Sequence, residues 1–160
     1  MFLEYGNNSV RFKYRMIESA PALNVVPEQL ILDGQQRLTS IYAAFCSPNA
    51  VKTKTDKGNA TNQFYYIDIA KALDPTVDRI DAIISVRENK QIVSDFGRSI
   101  DLDVSTAEKE YGNKLFPLNI ILDDEKCFEW EQAYLAYHNN SHEISNEYRA
   151  FRGKIILPVT

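Results

Sequence analysis

Alternating apolar and polar residues predict several strands in the first half of the chain. Val10 to Arg15 alternates as a half-buried strand does. Together with the candidate strand end at Phe2 to Tyr5, this segment predicts a hairpin. Leu30 to Leu32 predicts a short strand or extended lead-in. Phe64 to Ile69 and Ala82 to Val86 predict buried strands. The polar stretch 49–62 predicts a flexible loop or a hairpin tip.

Apolar residues at helical spacing predict one helix in this half and more helices after it. The helix over 35–45 carries an apolar stripe, expected to face a core, of Leu38, Ile41, Tyr42 and Phe45. Three further helices are predicted to start at Ser105, at Asp123 or Asp124, and at Ser145. The stripe of the second of these contains Cys127, Trp130, Tyr134 and Tyr137.

These elements predict an α+β fold, with a mixed α/β domain over 1–95 and a mostly helical extension over 96–160. The composition, 44% hydrophobic and 25% charged, is typical of a folded soluble protein. The net charge of −4 does not favour a general nucleic-acid coat, although it leaves room for a local basic patch.

Cysteine content and hydropathy favour the cytoplasm. Cys46 and Cys127 are too few and too far apart for a disulfide framework, so we expect free thiols. The longest apolar runs fall well short of the roughly 20 residues that a membrane span needs. The first residues lack the pattern of a signal peptide.

The stretch Asp33-Gly34-Gln35-Gln36-Arg37 stands at the start of the helix predicted over 35–45. Asp33 is predicted as the N-cap, with Gln36 completing a capping box. An arginine in the first turn faces the positive end of the helix dipole, which is unfavourable unless an anion lies between them. First-turn amides and Arg37 therefore predict a phosphate site. Alternatively, Asp33 and Arg37 are simply an i, i+4 ion pair.

Two weaker features point to the same chemistry. Arg11, Lys13 and Arg15 share one face of the predicted strand and are a candidate DNA or phosphate contact; the alternative is a solvated hairpin face. Thr39 and Ser40 are candidates for a phosphate or a metal-bound water, or simply surface hydroxyls.

No metal site is predicted from the sequence. His138 and His142 fall at a helix end and in a loop, and the two cysteines do not form a zinc pattern. A divalent metal would instead arrive with a nucleotide, bridging its phosphates.

The segment Asp33 to Ser40 resembles the DGQQRLT signature of the GmrSD-type restriction endonuclease N-terminal family. This is a bacterial family of domains of unknown function, related to the ParB/sulfiredoxin superfamily. Val10 to Lys13, Phe96 to Arg98, and Lys114 to Asn119 resemble further stretches of one branch of that family. The likeness extends from about Met1 to Ile155.

The resemblance implies a ParB/sulfiredoxin-like domain that binds a nucleoside triphosphate with Mg²⁺ and hydrolyses it, coupled to restriction of foreign or modified DNA. It implies phosphate or nucleotide binding by Gly34, Gln35, Gln36, Arg37 and Thr39, and catalytic roles for Asp33, Gln36 and Arg37. It implies DNA, a nucleotide and a nuclease domain or subunit as partners.

Family members usually begin with a further segment that carries a Gln-Arg-x-aromatic-x-Trp motif, which this chain lacks. We therefore expect a fragment whose N-terminal part is missing, with little nucleotide hydrolysis of its own. Two alternatives are a non-catalytic module that binds a nucleotide or the DNA backbone, and an inactive truncated relic. Apolar Phe2 and Leu3 at the very terminus predict edge pairing in a homodimer.

Overall fold

The structure is a computed structural model that describes residues 2–4, 14–18, 20–21, 24–31, 33–55 and 57–158. It combines helices with antiparallel strands, which confirms the predicted α+β class. The chain forms two compact units, residues 1–43 and 44–160.

The first unit contains a short pair of strands and the start of a helix. Strand β1 (Phe2–Glu4) pairs antiparallel with β2 (Gln29–Ile31), with Leu3 opposite Leu30. Residues 10–13 of the predicted hairpin lie outside the described residues, and Tyr14 and Arg15 belong to no regular element. After Gly34 the chain enters α1 (Gln35–Cys46), close to its predicted range of 35–45.

The apolar stripe of α1 is less covered than expected. Ile41 is 55% exposed, and α1 has no fully buried residue. Leu38, Tyr42 and Phe45 are half-buried. The prediction of a buried core stripe on this helix is therefore wrong for Ile41 and only partly met by the others.

A four-stranded antiparallel sheet forms the frame of the second unit. Its central strand is β4 (Ala60–Asp68), which continues through the polar residues 61–63 before the predicted strand start at Phe64. The other strands all pair with β4 and are β3 (Val51–Lys54), β5 (Ile83–Arg87) and β8 (Leu115–Pro117). Residues 49–62 thus hold the β3–β4 hairpin, the second of the two predicted alternatives.

A separate hairpin consists of β6 (Gln91–Ser94) and β7 (Ser99–Asp103), with a bulge between Ile92 and Val93. The domain boundary predicted near residue 95 falls in the turn of this hairpin. Residues on both sides of that position share one sheet, because β8 pairs with β4, placing Phe116 opposite Ile67.

The helices of the second unit start near the predicted N-caps, except that the starts of two helices differ from the prediction. Helix α2 (Ile69–Leu73) follows β4, and α4 (Asp124–Tyr137) starts after the predicted Asp123, whose side chain accepts from the Lys126 N–H at 3.0 Å. The N-cap of α3 (Ala107–Gly112) is Thr106 instead of Ser105, because the Thr106 side chain accepts from the Lys109 N–H.

Helix α5 (His142–Phe151) begins three residues before the predicted Ser145, and a π-helical turn over Arg152–Ile156 follows it. Ser145 lies inside the helix, since its backbone N–H donates to the Ser141 carbonyl at 2.9 Å, and its hydroxyl donates to the same carbonyl at 2.9 Å. A serine inside a helix cannot be distinguished from an N-cap serine by residue type alone, which explains the shifted prediction.

The larger core cluster of the second unit combines aromatic and aliphatic side chains. Trp130 and Tyr134 of α4 stack at 4.8 Å between ring centroids, and Tyr148, Phe151 and Phe116 belong to the same cluster. Its aliphatic members are Ile67, Ile69, Leu118, Ile121 and Ile156. This confirms Trp130 and Tyr134 as core residues of the α4 stripe. Tyr137, predicted on the same stripe, is 47% exposed. Across the described part of the chain, no helix is long and apolar enough to cross a membrane.

Candidate phosphate site at the start of helix α1

Helix α1 is capped by Gly34 rather than by Asp33. The Gly34 carbonyl accepts the first helical hydrogen bond, from the Leu38 N–H at 2.9 Å, which is the role of an N-cap. Asp33 Oδ1 accepts from the Gly34 N–H at 2.7 Å. The predicted capping box of Asp33 and Gln36 is therefore wrong. Gly34 lies at φ +89°, a left-handed conformation that glycine adopts readily. Asp33 therefore stands one residue before the cap.

Arg37 folds back over that turn. A Cβ built on Gly34 would lie 3.6 Å from Arg37 Nη2 and 3.9 Å from its Nε. Nη2 is also 3.9 Å from Asp33 Oδ2, with the two side chains 79% and 84% exposed. The i, i+4 pair is thus present, but solvent screens such a pair strongly. The guanidinium stays accessible to a second anion.

A second arginine reaches the same helix start. Arg15 Nη2 donates to Gln35 Oε1 at 2.9 Å, across 20 residues of sequence. Both residues line a cavity of about 540 Å³. Its remaining lining is mostly apolar and consists of Tyr14, Met16, Ile17, Val25, Pro27, Gln29, Ile31 and Leu38. The structure thereby joins one member of the predicted basic stripe to the motif.

The other predicted site residues either do not line this cavity or lie outside the described residues. Arg11 and Lys13 lie outside the described residues. The described lining of the Arg15–Gln35 cavity does not include Gln36 or Thr39. The Gln36 carbonyl accepts from the Ser40 hydroxyl at 2.9 Å, so Ser40 is turned toward its own helix.

The donors at this helix start fit phosphate oxygens, because they combine backbone N–H groups at a positive dipole end with two guanidinium groups. They do not form a metal site. Within the described ranges, no cluster of three or more His, Cys, Asp or Glu side chains could hold a metal ion. A Mg²⁺ ion at this place would have the nucleotide phosphates as its main ligands.

A second group of polar side chains, within the 44–160 unit, was not predicted from the sequence. Glu110 on α3 is 7% exposed, and its Oε1 accepts from the Tyr66 hydroxyl at 2.9 Å and from Lys90 Nζ at 3.2 Å. Burial and then the charge of Glu110 raise the pKa of Tyr66 well above its usual value. These partners are 44 and 20 residues apart, so no local motif marks them.

Comparison with known proteins does not establish a family. The chain is 32% identical to an uncharacterized protein of Methanocaldococcus jannaschii over 104 residues. The aligned residues are 64% of this chain. The chain spans 16% of the length of that relative. No known protein family matches the chain, and no solved structure matches it.

Proposed function

We propose that this chain is the nucleotide-binding domain of a DNA-restriction system and binds nucleoside triphosphate phosphates at the start of α1. The observation that supports this most is the Arg15–Gln35 hydrogen bond, because it brings a second arginine to the helix turn over which Arg37 lies. Both arginines are exposed and lie against residues at the helix start, Gln35 and Gly34, where a bound anion would be stabilised by the helix dipole and by the guanidinium charge.

In this proposal the amides of Gln35 and Gln36 and the guanidinium groups of Arg15 and Arg37 hold phosphate oxygens. Mg²⁺ bound to the nucleotide would neutralise phosphate charge. Gln36 is exposed, and in this proposal it orients a water molecule near the phosphates. The cavity beside Gln35 has the volume range of small-molecule sites and would take the ribose or base.

A second candidate is the same site without hydrolysis. Asp33 is the acid nearest the turn, and its carboxylate already accepts from the Gly34 N–H and faces Arg37. A carboxylate engaged in this way is a poor general base. This observation favours a module that binds the nucleotide and signals to a nuclease domain or subunit, and we expect weak or no turnover by the 160 residues alone.

We also propose that the chain acts in the cytoplasm and that DNA is one of its partners. Cys46 and Cys127 are free thiols, as a reducing compartment favours. DNA would be cleaved by a partner nuclease domain or subunit. We further propose a homodimer through the edge of β1, which light scattering at micromolar concentration tests directly; a monomer there contradicts it.

The deciding experiment is a set of thermal melts with ATP, GTP, CTP and UTP in the presence of Mg²⁺. A ligand at one hundred times its Kd stabilises the native protein by about 2.7 kcal/mol, so at least one nucleotide should raise the wild-type Tm. Arg37→Ala removes a charge-assisted hydrogen bond of about 1.5–3 kcal/mol and should weaken binding about ten- to a hundred-fold. Without nucleotide its Tm should hardly change.

The matched control is Arg149→Ala, which removes an exposed arginine on α5 and should keep the full nucleotide response. A nucleotide response that is equal in Arg37→Ala and Arg149→Ala contradicts the site. So does the absence of any response in the wild type, both alone and in fusion with a segment that carries the Gln-Arg-x-aromatic-x-Trp motif.

A further inference from the structure

A cavity within the 44–160 unit is not used by the motif at α1 or by the proposed function. Its volume is about 540 Å³, in the range of small-molecule sites. Five aromatic residues contribute to its wall: Phe64, Tyr65, Tyr66, Tyr111 and Trp130. Flat apolar walls of this kind favour a planar ring over a branched aliphatic group.

The same wall carries a buried carboxylate. Glu110 lines the cavity, and its Oε1 accepts from Tyr66 and Lys90. An ionised carboxylate has lone pairs for about four hydrogen bonds, so Glu110 keeps acceptor capacity for an occupant of the cavity. Burial strengthens each hydrogen bond to such a group, because water competes less for it.

Lys90 places a donor directly beside this acceptor. Its Nζ lies 5.2 Å from the centroid of the Phe64 ring and 6.0 Å from that of Tyr66. The Lys90 side chain is 32% exposed, and an ammonium has three donors, of which Glu110 takes one. The cavity therefore presents an ammonium donor next to a carboxylate acceptor along an aromatic wall.

We propose that this cavity binds a guanine base. One edge of guanine carries the O6 acceptor next to the N1–H and N2–H donors, so Lys90 would donate to O6 and Glu110 would accept from the two N–H groups. Adenine and uracil each offer fewer donors in this order. A free guanine nucleoside and an unpaired guanine in single-stranded DNA share this chemistry.

The chain contains one tryptophan, and it lies on the wall of this cavity. Trp130 fluorescence, excited at a wavelength where the bases do not absorb, therefore reports on the site, and calorimetry gives an independent Kd. We expect guanosine to change the signal saturably and to bind at least ten-fold tighter than adenosine or uridine. A thymine oligonucleotide with a single guanine, compared with guanosine monophosphate, separates the DNA source from the free nucleotide.

Ala133→Phe fills the cavity from the exposed side of α4 without removing any group that contacts Glu110. Its matched control is Ala136→Phe, at an exposed α4 position that is not part of the described lining. Ala133→Phe should weaken guanosine binding at least ten-fold, and Ala136→Phe should not. Lys90→Met should abolish the preference for guanosine over adenosine.

Circular dichroism melts verify that each variant is folded. Equal guanosine affinity of the two alanine variants overturns the proposal, as does the absence of binding by guanosine and by the oligonucleotide at millimolar concentration. Equal binding of guanosine, adenosine and uridine overturns the assignment to guanine. Arg37→Ala should leave the Trp130 response unchanged, so this inference and the proposed function can fail separately.

Discussion

At the scale of single residues, the start of α1 combines one contact that the sequence predicts with one that it does not. Asp33 and Arg37 are four residues apart, and their pairing follows from helix geometry. Arg15 and Gln35 are 20 residues apart, and nothing local joins them. Position in the sequence thus identified the helix start as a candidate site but not the second arginine that reaches it.

Gln35→Glu separates the structural role of this residue from its role at the phosphate. An acid in the first helical turn is favourable with the dipole by about 0.3–1 kcal/mol, and it would also pair with Arg15. We therefore expect a slightly higher Tm without ligand. The same negative charge should repel phosphate and reduce the nucleotide-induced Tm shift.

Melts with and without nucleotide measure both effects on one sample. The control is Gln132→Glu, at an exposed position of α4 outside the first unit, which should leave the nucleotide response unchanged. An increase in the nucleotide response of Gln35→Glu would contradict a phosphate site at this turn.

At the scale of elements, sequence reasoning succeeds where one helix or strand decides the outcome. The range of α1, the start of α4 after Asp123, and the buried Trp130 and Tyr134 follow from contiguous periodicity and a local cap. It fails where a contact comes from another element. The Tyr66–Glu110 hydrogen bond joins β4 to α3, and neither element carries a pattern that predicts it.

Asp103 at the end of β7 makes the junction with α3 sensitive to pH. A hydrogen bond from Lys109 Nζ at 2.7 Å is the largest of the causes that hold the pKa of Asp103 well below its usual range, and hydrogen bonds from Ser105 add to it. A lowered native pKa stabilises the fold fully above the unfolded pKa of about 3.9, and this contribution declines as pH falls toward the native pKa.

Asp103→Asn should therefore lower the urea midpoint between pH 5 and 8, and its difference from the wild type should shrink as pH falls below about 4. Urea titrations at a series of pH values measure this. The matched control is Asp101→Asn on the same strand, whose carboxylate accepts from the Ser94 hydroxyl at 2.7 Å and takes part in none of the ion pairs among the described residues. A loss that is equal for both variants and independent of pH contradicts the role of the Lys109 pair.

At the scale of the whole molecule, the two units differ in how much apolar surface they bury. All buried residues of the described chain lie in the 44–160 unit, between Tyr66 and Ile156. Helices α1 and α4 allow a matched comparison, since they have 12 and 14 residues. α4 buries Trp130 and Tyr134, whereas α1 has no buried residue.

Amide hydrogen exchange should reflect this difference. Amides of α4 should exchange only through global unfolding, which costs about 5–15 kcal/mol for a domain, and amides of the first turns of α1 through local opening at much lower cost. We expect peptides that cover α4 to be at least about a hundred-fold more protected than those that cover 35–43. Mass spectrometry at low micromolar protein measures both helices in one experiment.

Equal protection of the two helices at that concentration contradicts this account. Protection of β1 that grows with protein concentration would support the proposed homodimer, because a second copy paired along the β1 edge would hydrogen-bond its amides. Protection of α1 that grows with nucleotide at constant protein concentration would support the phosphate site, since a ligand held by the first-turn amides slows their opening. Each of the two proposals for the first unit therefore has its own dependence on concentration in the same measurement.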